Sequence, residues 1–457
     1  MVQHEGLVGK VEVRADASGL VGHAGSALIA SVAQRVGLVR ALSEAMLPTR
    51  QRASAHDPGQ VLVDLAVMLA DGGDCLADLG GLRDRQPLFG AVASDATAFR
   101  VIDSVDEACV DRLRGAVATA RRGAWLAGAR PERFLARAHN RCERTVIDVD
   151  ASLTRAYSAK ESAAGNFKGG YGHHPLLVFL DGTGEALAGI LRPGNAGSNT
   201  AADHKQVLDL ALSQLDPTAL DGEILIRADG AGATHELCDY CREAGLRFSF
   251  GFDLSGPVRQ AIIDAPESAW ARALRPDGKS LREHSWVVEI TDRVDLCAWP
   301  AGCRLIARRT QLKDGDQQSF ADHDGYRLAV FITDQTDTDI RQLDLTHRGH
   351  ARVEDRIREA KDCGMRNLPF RSFAHNQAWL WLVGLAQDLL AWTRQLCLRH
   401  EPQRWELGTL RYRLLHQSAR ISRHARKTVL RLSASWRWAS LLTAAFARLK
   451  ALPATTD

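Results

Sequence analysis

The chain has 457 residues, of which 45% are hydrophobic and 25% are charged, with a formal net charge of +3. This length allows roughly two to four domains. No apolar run approaches the roughly 18 residues of a transmembrane helix, so we expect no membrane partner. The start, Met1-Val-Gln-His-Glu, does not resemble a signal peptide, and the nine cysteines are scattered. Both features predict a cytoplasmic protein.

Basic residues are concentrated in two stretches. Residues 112–144 contain nine arginines against two glutamates, and residues 411–450 contain ten Lys or Arg and no acid. Residues 1–100, by contrast, contain nine bases and eleven acids. Because phosphate neutralisation supplies most non-specific DNA affinity, the two basic stretches are the better candidates for contact with a DNA backbone. A solvated helical face is the alternative for residues 411–450.

The first part of the chain has helical apolar spacing, clearest in Leu28–Leu42 and Pro58–Leu69. Strand patterns follow. In residues 145–150, Asp148 and Asp150 project from the same side of a strand. Two further strands are predicted within 175–180 and 184–191. The apolar run 223–228 is closed by Asp229 and a glycine-rich turn, which indicates a buried strand with an acid at the rim of a sheet.

A helix at 234–244 and a strand at 247–252 come next. Residues 254–340 contain three strand-like stretches and form a predicted β-rich insertion: 286–290, 303–308 and 326–332. A long apolar helix with Trp379, Trp381 and Trp392 then indicates core packing.

Residues 347–361 have the most informative pattern of the chain. On a helix, one face carries a single carboxylate among basic groups, and a second face carries apolar residues. The first face consists of His347, His350, Glu354, Arg358 and Lys361, and the second of Val353, Ile357 and Ala360. An acid among bases suits metal-assisted chemistry on phosphates. A solvated face with intrahelical salt bridges is the alternative interpretation.

In order, the predicted elements place acids on a first strand, after a fourth strand and on a late helix. The chain resembles the DDE transposases of bacterial insertion sequences, and within them the insertion-sequence thirteen-eighty family. The motifs that carry the resemblance are residues 147–152 (Ile-Asp-Val-Asp-Ala-Ser), 227–230 (Arg-Ala-Asp-Gly), 165–175, 191–197, and Glu354 with Lys361 seven residues later.

The resemblance implies an α/β fold with an RNase-H-like mixed sheet flanked by helices and interrupted by the β-rich insertion. An all-α region precedes this core and a helical region follows it. The expected divisions are an N-terminal helical, terminal-repeat-binding region (1–141), the first part of the core (142–253), the insertion (254–340), the second part of the core (341–397) and a basic C-terminal helical region (398–457).

The resemblance also implies a catalytic, metal-binding triad of Asp150, Asp229 and Glu354, with Asp148 as the alternative to Asp150. The implied cofactor is Mg²⁺, with Mn²⁺ as a substitute. The implied reaction is cut-and-paste transposition by two-metal-ion hydrolysis at the element ends and strand transfer. The partners are double-stranded terminal inverted repeats and target DNA, bound by a homodimer in the cytoplasm at the nucleoid. A retired, DNA-binding transposase and an RNase-H-like nuclease remain alternatives.

Expected DNA contacts surround this triad. Lys361 matches a basic residue of relatives, and Arg358, His350 and His347 share its helix face. His347 and His350 replace a tyrosine and an arginine of many relatives, which weakens phosphate clamping because histidine can be uncharged at neutral pH.

Further expected contacts come from other parts of the chain. Asn166 and Lys168 lie in a glycine-rich loop that could also be a simple hairpin turn. In relatives an aromatic of the insertion stacks on a flipped base, and Trp299 is our candidate, with Trp286 second. Insertion packing is the alternative. Cys238 and Cys241 have the spacing of a metal or redox pair, but core packing fits a helix better.

Overall fold

The computed structural model describes residues 12–50, 55–130, 134–135, 143–197, 200–216, 222–313, 315–317, 319, 321–424 and 427–453. It shows a mixed α/β fold in which helices flank one large sheet. No helix within these residues combines the length and the apolar character that a bilayer crossing requires.

The N-terminal region is helical apart from two short strands. Its elements are β1 (Leu20–Val21), α1 (Ser26–Arg35), α2 (Leu38–Ala45), α3 (Pro58–Asp71), α4 (Leu79–Arg83), α5 (Gln86–Phe89), α6 (Asp95–Asp103), α7 (Glu107–Leu126) and β2 (Phe134–Leu135). The single helix predicted for 28–42 is divided at Gly37, whose φ of +79° suits glycine and interrupts the helix. α3 begins where predicted, because Asp57 accepts a hydrogen bond from the backbone of Gln60.

The central part of the chain begins with six strands and continues with two helices, each followed by one further strand. These are β3 (Glu143–Ala151), β4 (Thr154–Arg155), β5 (Ala164–Gly165), β6 (Tyr171–His173), β7 (Leu176–Leu180), β8 (Ala186–Ile190), α8 (Ala201–Leu212), β9 (Glu223–Ala228), α9 (His235–Glu243) and β10 (Arg247–Phe252). In the sheet, five of the strands follow the order β8-β7-β3-β9-β10. β3 runs parallel to β9 and β9 parallel to β10, whereas the β3–β7 and β7–β8 pairs are antiparallel.

The residues of the predicted insertion extend the same sheet. Their elements are α10 (Gly256–Ile263), β11 (Ala271–Leu274), β12 (Leu281–Glu289), β13 (Arg304–Gln311), β14 (Asp322–His323) and β15 (Tyr326–Thr333). β15 pairs antiparallel with β10, and the sheet continues through β13 and β12 to β11. The β-rich character was therefore predicted correctly, although these strands join the central sheet rather than forming a separate one.

Helices return after β15. They are α11 (Ile340–Arg348), α12 (Val353–Ala360) and α13 (Phe373–Cys397), with a 3₁₀ turn at Gly349–Arg352 between the first two. The side chains of β7 pack alternately into two hydrophobic clusters on opposite faces of the sheet. Leu177 and Phe179 belong to the first cluster, and Leu176 and Val178 belong to the second. The first cluster includes α13 with its buried Trp379. Both faces of the sheet are therefore covered, and the acids at its strand ends rest on a rigid frame.

The C-terminal region is not purely helical, which corrects the prediction for 398–457. It contains α14 (Leu407–Leu410), the strands β16 (Ala419–His424) and β17 (Lys427–Leu432), and α15 (Ala439–Ala451). β16 pairs with β17 and with β1 of the N-terminal region, so the all-α prediction for 1–141 also misses a strand. Val429 and Ile421 are β-branched residues that favour the strand conformation.

Candidate active site

Two strand ends place the first two acids of the predicted triad side by side. β3 and β9 are parallel, with Asp148 opposite Arg227 and Val149 opposite Ala228. The next pair of positions in this register is Asp150 and Asp229. Asp229 follows the end of β9 and accepts a hydrogen bond of 2.9 Å from the backbone of Ala231, which opens the turn Gly230–Gly232. The two carboxylates therefore meet at the carboxyl edge of two parallel strands, where α/β sheets bind ligands.

The environment of Asp150 is electrostatically unfavourable for its charge. Burial and the charges of Asp229 and Glu354 together raise the pKa of this carboxyl to about 6, against the opposing influence of His350 and of a hydrogen bond from Ala151. That bond, from the backbone of Ala151 at 2.7 Å, is the one hydrogen bond of the carboxyl to the described part of the chain. Three carboxylates thus act on one another with little compensation from the protein.

Asp148, two residues earlier on the same strand face, has the opposite environment. Its carboxylate receives two hydrogen bonds from the Arg227 guanidinium, at 2.8 and 2.7 Å, and its side chain is 2% exposed. Nδ1 of His350 lies 3.0 Å from the same carboxylate. Burial alone would raise the pKa of Asp148, but the charge of Arg227 and these hydrogen bonds outweigh it and lower the pKa. The geometry favours Asp150 as the available acid.

Arg227 joins β3 to α11, the helix before the one that carries Glu354. Beyond Asp148, its guanidinium lies 3.1 Å from Asp181 and donates at 2.6 Å to the backbone oxygen of Thr346. Arg352 also binds Asp181, with Nε at 2.7 Å. No role was predicted from the sequence for Arg227 or Asp181. A signal for Arg227 was present, because Arg227 and Asp148 each lie two residues before a triad acid.

Glu354 lies in the first turn of α12 and its side chain is exposed. The predicted apolar face is confirmed, because Val353, Ile357 and Ala360 are all buried. The helix is held from behind by an ion pair between Glu359 and Arg394, with Oε2 and Nη2 2.6 Å apart. The carboxylate of Glu354 is thus presented toward Asp150 from an anchored helix.

The predicted continuous helix over 347–361 is interrupted, which changes the roles of its histidines. Gly349 opens a 3₁₀ turn, and any side chain there would collide with the guanidinium of Arg227. His347 stacks on Phe331 with ring centroids 4.3 Å apart, and its Nδ1 lies 3.0 Å from the hydroxyl of Ser249. Burial lowers the pKa of His347 well below its usual value. An uncharged, packed His347 does not fit the predicted phosphate contact, and His350 is directed to Asp148.

Lys361 lies within electrostatic range of Asp150, and Lys168 lies within electrostatic range of Lys361. Lys361 is half-buried; burial lowers its pKa, as do the charges of Arg366 and Lys168, whereas the charge of Asp150 opposes the shift. Lys168 is exposed in the turn between β5 and β6. The Asn166 side chain accepts hydrogen bonds from the backbone of Lys168 and Gly170, at 3.0 and 3.1 Å, so it shapes this turn.

Two other predicted DNA contacts have partners within the protein. Arg358 forms an ion pair with Asp355 and lies 3.8 Å from Glu406. Trp299 packs edge-on against Phe252 and His235, with centroids 5.1 and 4.3 Å away. These contacts fit the packing interpretation of Trp299 rather than base stacking.

The second aromatic candidate and the cysteine pair are also packed. Trp286 packs against Tyr326 and has the guanidinium of Arg309 5.4 Å from its ring centroid. Cys238 and Cys241 are buried in the core, as the structural interpretation of that pair predicted.

The donor set of the three acids fits hard divalent cations, which prefer carboxylate oxygens. Within the described residues, two groups of three His, Cys or Asp side chains bring their ligand atoms within 4.8 Å of one another: His23/Asp71/His416 and Asp74/Cys75/Asp78. The ligand atoms of Asp150, Asp229 and Glu354 are not all this close to one another. The raised pKa of Asp150 beside Asp229 and Glu354 shows a concentration of negative charge that a cation would neutralise.

Comparison with known proteins defines the family. The family model described as "Transposase DDE domain group 1" matches residues 4–454. The chain belongs to this transposase family. Its functions are DNA transposition and recombination, and DDE transposases in general cut DNA with divalent metal ions. No curated protein matches the chain.

Solved structures are also similar to this chain. Among them is the cryo-EM structure of a piggyBac transposase synaptic complex with hairpin DNA, at a TM-score of 0.36 and 12% identity over 85% of this chain and 77% of that chain. At that TM-score the likeness supports no conclusion about mechanism.

Proposed function

We propose that this transposase moves an insertion sequence of the thirteen-eighty family by a cut-and-paste reaction, with Asp150, Asp229 and Glu354 as its catalytic acids. The observation that carries the proposal is the meeting of these acids at the carboxyl edge of β3 and β9. The strand order β8-β7-β3-β9-β10, with an acid-bearing helix added later in the chain, supports an RNase-H-like core.

The three carboxylates would hold two Mg²⁺ ions, which Mn²⁺ can replace. When bound, such ions activate water and stabilise the entering and leaving oxygens of a phosphodiester. The protein contributes position and charge. Arg227 and Asp148 join β9 to β3 and to α11, the helix before α12. Lys361 places positive charge near Asp150, and Lys168 lies close to Lys361, so a phosphate at the acids would meet these bases.

The proposed partners are the terminal inverted repeats of the element and a target duplex. Joining two element ends to one target requires two active sites, so we propose a homodimer on DNA. The proposed setting is the nucleoid of a bacterial cytoplasm.

The test is a cleavage and joining assay with purified protein, Mg²⁺ and duplex DNA that carries the terminal repeats of the encoding element. We expect wild type to release 3′ hydroxyl ends and join them to target DNA, and Glu354→Ala to bind without cutting. Cutting without joining would instead identify a nuclease. Binding without cutting by the wild type would identify a retired transposase that acts as a DNA-binding protein.

A further inference from the structure

The C-terminal hairpin forms a small sheet apart from the large one, in the order β1-β16-β17. Its register assigns side chains to two faces, because directly opposed residues of neighbouring strands share a face. Ile421 is opposite Leu430 and Ala419 opposite Leu432, which gives one face an apolar character. All four of these residues are at least partly buried, and Leu432 packs against the core.

The other face is open to solvent and carries three cations around the exposed Val429. Arg420 lies opposite Arg431, and Lys427 projects from the same face near the end of the hairpin. All three side chains are exposed, and within the described residues none has a carboxylate partner. We call these three residues the basic hairpin face. The only side-chain hydrogen bond described for them is from Nε of Arg431 to the hydroxyl of Ser422, at 3.1 Å.

This arrangement costs folding stability. Like charges directly opposite each other on adjacent strands repel and destabilise the pair. Cations on a sheet edge can be explained as protection against pairing with another chain. That explanation fits Lys427 and Arg431 on the edge strand β17. It does not fit Arg420, because β16 is the middle strand and pairs on both sides.

We propose that the basic hairpin face binds the phosphate backbone of duplex DNA. The charge of the face complements a polyanion. Contacts of arginine and lysine with phosphates carry no sequence information, and the Ser422 hydroxyl on this face already accepts a hydrogen bond from Arg431. The binding is therefore sequence-independent. The inference rests on the proposed function, since it supplies the transposase with a DNA contact outside its active site.

The experiment measures how the affinity of the full-length protein for a duplex of arbitrary sequence depends on salt concentration. The test variant is Arg420→Gln/Lys427→Gln/Arg431→Gln. The matched control, Arg100→Gln/Lys279→Gln/Arg399→Gln, removes three exposed cations that also lack a carboxylate partner within the described residues. The slope of log affinity against log salt is negative, and each lost phosphate contact reduces its magnitude by about 0.9. We expect the magnitude of the slope to fall by up to about 2.7 in the hairpin variant and by almost nothing in the control.

The melting temperature of the hairpin variant distinguishes the loss of a DNA contact from a failure to fold. Because the substitutions relieve the Arg420–Arg431 repulsion, we expect the melting temperature of the hairpin variant to be unchanged or higher. If the triple variant does not fold, Lys427→Gln alone is measured, with an expected slope loss of about 0.9. The charge-retaining variant Arg420→Lys/Arg431→Lys should keep the slope of the wild type.

Equal slopes for the hairpin variant and the control would overturn the inference. So would a hairpin-dependent slope that appears with single-stranded RNA but not with duplex DNA. Failure of the proposed function is seen separately, because it would leave Glu354→Ala and wild type equal in the cleavage assay whatever the salt dependence.

Discussion

The two aspartates of β3 lie two residues apart on the same strand face, yet their surroundings are opposite. Asp148 is buried, paired with Arg227 and bonded to His350. Asp150 is half-buried and lies beside two other acids, Asp229 and Glu354, with His350 and Lys361 as the opposing bases. A carboxylate whose interactions are satisfied within the protein stabilises the fold, whereas one left unsatisfied beside other acids is available to a cation.

The largest expected effect separates the two aspartates by activity. Asp150→Ala, Asp229→Ala and Glu354→Ala should each lower the cleavage rate at least about a hundredfold, because each removes a metal ligand. DNA binding should be largely preserved. The measurement is Mg²⁺-dependent cleavage beside a gel-shift titration of the same samples. Cleavage retained by all three variants would show that the assigned triad is wrong.

The next effect separates them by stability. Asp148→Ala removes the carboxylate that accepts two hydrogen bonds from the buried Arg227 and leaves Asp181 as the remaining acid beside it. This change should lower the free energy of unfolding by up to about 3–5 kcal/mol. Denaturant unfolding of the metal-free protein measures it. The double variant Asp148→Leu/Arg227→Met, which removes both charges, should recover part of the loss. A stable Asp148→Ala protein without cleavage activity would exchange the roles of the two aspartates.

A smaller effect of the opposite sign is expected at Asp150. Its pKa is raised from 3.8 to about 6, so the folded state binds this proton more tightly than the unfolded state. The stability that this tighter proton binding contributes to the folded state is complete below pH 3.8 and is lost as the pH rises through about 6. Without metal, Asp150→Asn should therefore add about 1–2 kcal/mol of stability at pH 8 and almost none at pH 4. Thermal unfolding at both pH values tests this. An equal gain at both would exclude ionisation as the cause.

The smallest expected effect concerns the bases of the α12 region. Lys361→Ala should weaken binding to DNA that carries a cleavage site, because this ammonium lies near Asp150 and Lys168. Arg358→Ala should change binding less, because Asp355 and Glu406 already neutralise Arg358. Fluorescence anisotropy titrations of the two variants make the comparison. A larger loss from Arg358→Ala would place the DNA on the other side of α12.

Much of the fold could be predicted, because it depends on local pattern. The alternation in β3, the closed apolar run of β9 and the apolar face of α12 each follow from nearest neighbours in the sequence. What could not be predicted depends on contacts between distant residues. His347 does not share the helix face of Glu354, because a 3₁₀ turn begins at Gly349, whose missing side chain makes room for the Arg227 guanidinium. Trp299 packs against Phe252. The hairpin at 419–432 was missed because its five Lys and Arg residues are spaced irregularly among apolar residues, so no strand period stands out. Its pairing with β1 also joins opposite ends of the chain.

The most direct test of Asp150 as a metal ligand is a metal-rescue experiment. A thiolate is a soft ligand that binds Mg²⁺ poorly and accepts Mn²⁺ more readily. Asp150→Cys and Asp148→Cys would be assayed for DNA cleavage in each metal. We predict that Asp150→Cys is inactive in Mg²⁺ and recovers cleavage in Mn²⁺, whereas Asp148→Cys responds alike to both metals. Recovery by Mn²⁺ in Asp148→Cys alone would contradict the assignment.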